Sequence, residues 1–163
     1  MRIGLIDVDG HNFPNLALMK ISAWHKAQMD AVEWWDGFKE YDIVYMAKVF
    51  DETYSPDMPE PFNAKKIVKG GTGYGLCNKL HCEAEHIYPD YALYPQYCSD
   101  TAYGFLSRGC PRRCSFCIVP EKEGPRSVKV ADVSEWWHGQ HSIVLLDPNI
   151  LACADCVELL NQL

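Results

Sequence analysis

Three cysteines fall within the short stretch SRGCPRRCSFCIVP: Cys110, Cys114 and Cys117. Thiols in a C-x3-C-x2-C pattern require a tight, looping backbone, and Gly109 and Pro111 supply the turn chemistry. Cys77, Cys82, Cys98, Cys153 and Cys156 bring the total to eight. The opening run MRIGLIDVDGHNF has acids where an export signal has an apolar core, which points to a cytoplasmic protein. In the cytosol thiols stay reduced, so clustered cysteines indicate metal before disulfides.

A cluster of four irons ordinarily takes four cysteine thiolates. Three ligands leave one iron without a protein ligand. As at catalytic zinc, an open coordination position is where a substrate or cofactor binds. Arg112 and Arg113, between the first two cysteines, favour the thiolate form. The same residues admit another reading: a zinc site completed by Cys98 or a histidine, in a non-catalytic metal-binding or partner-binding module.

Short apolar runs alternate with helical or loop segments, which predicts an α/β fold with a parallel, doubly wound sheet. RIGLIDV, AVEWW, YDIVYMA and AKKIVKGG read as strands. PNLALMKISAWHKAQ reads as a helix, with Pro14 in its first turn and Leu16, Met19, Ala23 and Ala27 on one face. After Cys98 the pattern restarts. AYGFLS is a predicted strand feeding the cysteine loop, VADVSEWWHGQ a helix capped by Asp132 or Ser134, SIVLLDPN a buried parallel strand, and ACADCVELLNQL a closing helix. This divides the chain into a Rossmann-like domain over 1–98 and a second domain over 99–163.

The run GCPRRCSFC resembles the signature of the radical S-adenosylmethionine enzymes, which carry three cysteines at this spacing with an aromatic just before the last. Here that aromatic is Phe116. The resemblance implies that Cys110, Cys114 and Cys117 hold a 4Fe–4S cluster. The open iron would chelate S-adenosylmethionine, which one-electron reduction cleaves to methionine and a 5′-deoxyadenosyl radical. Phe116 would lie near the adenine. Many members carry a Gly-Gly-Glu run after the second barrel strand; the corresponding run here is LLDPN, so Asp147 or Asn149 would hold the cofactor's amino group. The resemblance also implies an electron donor such as a flavodoxin or ferredoxin, with the substrate left open. Residues 99–163 hold only the first units of such a barrel. This predicts either a truncated chain or another chain that completes the barrel.

In the first domain, LIDVDGH resembles the nucleophile motif of haloacid-dehalogenase-type phosphohydrolases, with Asp7 attacking phosphorus and Asp9 as acid and base. It also resembles the Asp-x-His-x-x-Gly run of cobalamin-binding domains, through Asp9 and His11. Pro14 stands in place of the glycine, so the resemblance implies the fold without bound cobalamin. GGTGYG, after the fourth predicted strand, reads as a tight turn. Cys77, His81, Cys82 and His86 read as a surface segment, and Cys153 with Cys156 as half-buried thiols sharing a helix face. The Trp34–Trp35 and Trp136–Trp137 pairs read as packing residues. A net charge of −7 argues against broad binding to nucleic-acid phosphates. No apolar run is long enough to span a membrane.

Overall fold

The computed structural model describes residues 1–10 and 12–163. His11 lies outside the described residues. The chain divides into two compact units, Met1–Tyr97 and Cys98–Leu163.

The first unit is α/β. Its strands are β1 (Arg2–Asp7), β2 (Ala31–Trp34), β3 (Tyr41–Ala47) and β4 (Ala64–Gly70), all paired parallel in the order β2-β1-β3-β4. A parallel four-strand sheet in this order is compatible with a Rossmann-like domain. Helix α1 (Leu16–Ala27) makes the crossover from β1 to β2. The other two crossovers run through loops rather than long helices, so the sheet is not doubly wound as the strand pattern predicts. Ile3 and Leu5 of β1 pack with Leu18 on one face, while Ile6 packs with Tyr41, Val44 and Met46 on the other. Burial on both faces is the reason these strands read as continuous apolar runs.

Helix α1 corrects two expectations. Asn15 is its N-cap and accepts from the Leu18 amide at 3.2 Å, so Pro14 precedes the helix rather than opening it. The buried stripe holds Leu18, Ser22 and His25, beside Leu16 and Met19, while Ala27 is exposed. Polar side chains occupy that stripe because each finds a partner. Ser22 Oγ donates to Asp90 at 2.6 Å. His25 Nδ1 donates to Asp30 at 2.7 Å, and its Nε2 lies 3.0 Å from the Tyr45 hydroxyl. The amino terminus and His25, both hydrogen-bonded to Asp30, hold its carboxyl below the ordinary carboxylate range. The short helices α2 (Cys82–Glu85) and α3 (Pro95–Cys98) follow the sheet in sequence. Trp34 is half-exposed against an edge of Tyr94, not a core residue.

The glycine run after β4 has a specific cause. Gly71 sits at φ 93°, and a Cβ there would lie 2.2 Å from the Lys48 carbonyl oxygen. The turn packs directly on the chain leaving β3: Lys48 N donates to Gly70 O at 3.0 Å, and Gly73 N to Lys48 O at 2.9 Å.

In the second unit β5 (Thr101–Gly104) pairs parallel with β8 (Ser142–Leu145), and β6 (Ser107–Arg108) pairs antiparallel with β7 (Val128–Lys129). Helix α4 (Val119–Lys122) lies between β6 and β7, and α5 (Cys156–Leu160) closes the unit. Leu106, Trp136 and Leu159 are among its buried apolar residues. The predicted helix over 130–140 is a single 3-10 turn, Val133–Glu135. Glu135 bonds back to the Asp132 amide at 3.0 Å, but Trp136 leaves helical geometry at φ −140°. The closing helix is likewise broken, because Cys153 is extended between the 3-10 turn Ile150–Ala152 and α5. Cys153 and Cys156 therefore do not share a helix face. Strand β8 is half-buried rather than fully buried, since among the described residues only β5 pairs with it.

Replacing Gly71 with alanine should destabilise the first unit by about 2–3 kcal/mol, from positive-φ strain plus the carbonyl clash. Urea denaturation of the full chain measures this, and an unchanged midpoint would refute the close-packed turn.

Candidate functional site: the cysteine loop

The loop begins where β5 and β8 run side by side. Gly104 pairs with Leu145, and the Leu146 amide donates to Gly104 O at 2.9 Å. The next residues on each strand, Leu106–Ser107 and Asp147, are thereby brought together. The Asp147 carboxylate accepts from the Leu106 amide at 2.9 Å, the Ser107 amide at 2.5 Å and the Ser107 hydroxyl at 2.6 Å. Leu106 and Ser107 are fully buried, so water does not compete for these donors. Asp147 is thus a clasp on the entry to the cysteine loop.

A narrow neck follows. Gly109 sits at φ 89°, and a Cβ there would lie 2.1 Å from the Arg126 carbonyl oxygen. The Cys110 amide donates to Gly124 O at 3.2 Å, closing the loop's two ends on each other. Arg108 Nη1 lies 3.6 Å from one Glu123 oxygen, and the Gly109 amide donates to the other at 3.4 Å. Glu123, Gly124 and Arg126 belong to no sequence motif of the loop. The second glycine at the far end of the loop was the available signal.

Beyond the neck the chain forms an open arc. Pro111, Arg112, Arg113, Cys114, Ser115 and Phe116 are all exposed, with Phe116 at 89%. Arg113 adopts φ 47°, and the Cys117 amide donates to Cys114 O at 3.0 Å. Cys110 and Cys117 are half-buried. The backbone amide of Arg112 and the side-chain amide of Asn149 hold the Cys110 thiol below its ordinary pKa, so its thiolate is favoured. The Asn149 amide nitrogen is 3.5 Å from Cys110 Sγ. By contrast, burial pushes the Cys98 thiol up to about 11, which keeps it protonated at neutral pH.

One loop therefore carries all three predicted ligands, and Asn149 is at hydrogen-bond distance from the first. Among the described residues, no three His, Cys, Asp or Glu side chains gather closely enough to hold a metal ion. The three sulfurs are on one loop but not drawn to one point. The donor set fits an iron–sulfur group in kind: soft thiols, one of them already favoured as thiolate by N–H donors.

In the first unit the two acidic residues are held by neighbours. Tyr94 OH donates to Asp7 at 2.5 Å, and Asp9 accepts from the Phe50 amide at 3.2 Å and, more closely, from that of Val49. The Asp9 bonds cross the carboxyl ends of β1 and β3, where the strand order reverses. Lys48 is buried there, its ammonium 5.6 Å from the Tyr74 ring centre. No helix among the described residues is long and apolar enough to cross a membrane.

Comparisons with known proteins give one partial likeness. A CDK5RAP1-like protein of Oryza sativa subsp. japonica is 39% identical over 66 residues, covering 37% of this chain. The match takes in only 11% of that relative's length. No family model and no solved structure matches.

Asp147→Ala should cost the full chain about 3 kcal/mol, because it strands two buried amide donors and a hydroxyl at once. Thermal unfolding followed by circular dichroism checks this; a loss below about 1 kcal/mol would mean the clasp does not anchor the loop.

Proposed function

We propose that this chain is an iron–sulfur protein of the radical S-adenosylmethionine kind, with Cys110, Cys114 and Cys117 as the cluster's ligands. The observation that supports the reading is the loop itself: a neck closed by the Cys110 amide on Gly124 O carries all three cysteines, and the Asn149 amide nitrogen lies 3.5 Å from Cys110 Sγ. When bound, such a cluster supplies low-potential one-electron chemistry, which would cleave S-adenosylmethionine at the iron that lacks a protein ligand.

The rest is the work of this chain's own residues. The arc from Pro111 to Phe116 is exposed, so bringing Cys114 inward displaces no core residue. Arg112 and Arg113 add positive charge beside the thiolates. Phe116 offers a free aromatic face for an adenine ring. For the cofactor's ammonium group, Asn149 is the better acceptor of the two named from sequence. Asp147 already accepts three hydrogen bonds, whereas the side-chain oxygen of Asn149 stays available while its amide nitrogen faces Cys110. The substrate and a flavodoxin- or ferredoxin-like donor belong to the same proposal.

Anaerobic reconstitution of the full chain with iron and sulfide tests it. The expected product is brown and holds about four irons per chain. Alanine at Cys114 or Cys117 should abolish that uptake. S-adenosylmethionine should alter the electron paramagnetic resonance spectrum of the reduced protein. Tight zinc binding with no iron uptake would overturn the reading in favour of a metal-binding module.

A further inference from the structure

We propose that Asn149 tunes the reduction potential of the cluster that the loop would carry, by donating its side-chain amide to Cys110 Sγ. The proposal rests on the iron–sulfur reading above and assigns a property that the ligand set alone does not contain.

Asn149 is placed for this by three constraints. It follows Asp147 by two residues, so the clasp on Leu106 and Ser107 fixes the turn that carries it. The Cys110 backbone is held from the other side, where its amide donates to Gly124 O at 3.2 Å. Asn149 is also the N-cap of the 3-10 turn Ile150–Ala152, yet its side chain makes no capping bond there. Asparagine at such a position ordinarily caps its own turn. Here the amide instead reaches 3.5 Å to a sulfur on another segment.

The consequence for a cluster is electrostatic. One electron passes from a low-potential one-electron donor to the oxidised cluster, and no bond or proton need change. The added charge spreads onto the ligating sulfurs. An N–H donor at one sulfur stabilises the reduced form more than the oxidised form, which raises the potential. Removing the donor should therefore make the cluster harder to reduce.

The test compares wild type, Asn149→Leu and Asn149→Gln, each reconstituted as the full chain and titrated with dithionite under paramagnetic-resonance detection. We expect equal iron content in all three. The midpoint should move to more negative potential in Asn149→Leu and return towards wild type in Asn149→Gln, which keeps the amide. A loaded Asn149→Leu protein with the wild-type midpoint would overturn the role of Asn149 and leave the iron–sulfur reading intact. An Asn149→Leu chain that keeps its circular dichroism but no longer loads iron would also overturn it, because the side chain would then serve assembly rather than potential. A wild-type chain that takes up no iron defeats both.

Discussion

The carboxylate of Asp147 is the contact on which the cysteine loop depends. Parallel pairing of β5 with β8 sets two chain segments side by side, and Asp147 ties them together through three donors on Leu106 and Ser107. Without that tie, buried amides at the start of the loop would lack an acceptor, and Asn149 would have no fixed position opposite Cys110. A charge in a partly buried setting is tolerable because it is fully used, and a multiply bonded carboxylate orients the chain that bonds it. The loop thus has a rigid root and a free arc. That division suits a site whose ligands must be exposed to incoming metal while their base stays in place.

The first unit solves a comparable problem at the carboxyl ends of its strands. Asp9 bridges from the loop after β1 to the amides after β3, and the glycine turn after β4 lies against the same segment. Gly71 and Gly73 are there because backbone meets backbone, at separations that no side chain allows. This gives the run GGTGYG a structural cause that requires no ligand.

How far the sequence could be read depended on which signal carried each element. The four strands of the first unit were legible because both faces of the sheet are buried, so apolar runs mark them directly. Helix α1 was legible as a helix but not in its rotation, because Ser22 and His25 are buried through hydrogen bonds that hydrophobic periodicity does not register. In the second unit the helices were overread. VADVSEWWHGQ has a good cap and apolar spacing, but its chain turns away after one turn and Trp136 is buried from there. ACADCVELLNQL breaks where Cys153 is extended. In both cases tertiary placement outweighed local propensity. Spacing alone groups the three cysteines, and the structure carries them on one loop. The neck formed by Glu123, Gly124 and Arg126, and the clasp made by Asp147, were not legible, because they join segments far apart in sequence. The motif after β1 was read through His11, which lies outside the described residues.

The central claim is that three thiolates bind four irons and leave one of them open. Mössbauer spectroscopy of the chain reconstituted with iron-57, before and after adding S-adenosylmethionine, addresses it most directly. The proposal predicts a four-iron cluster in which one iron becomes spectroscopically distinct when S-adenosylmethionine is added, as nitrogen and oxygen ligands join it. Four irons that stay equivalent on addition, or a spectrum of non-cluster iron, would contradict it.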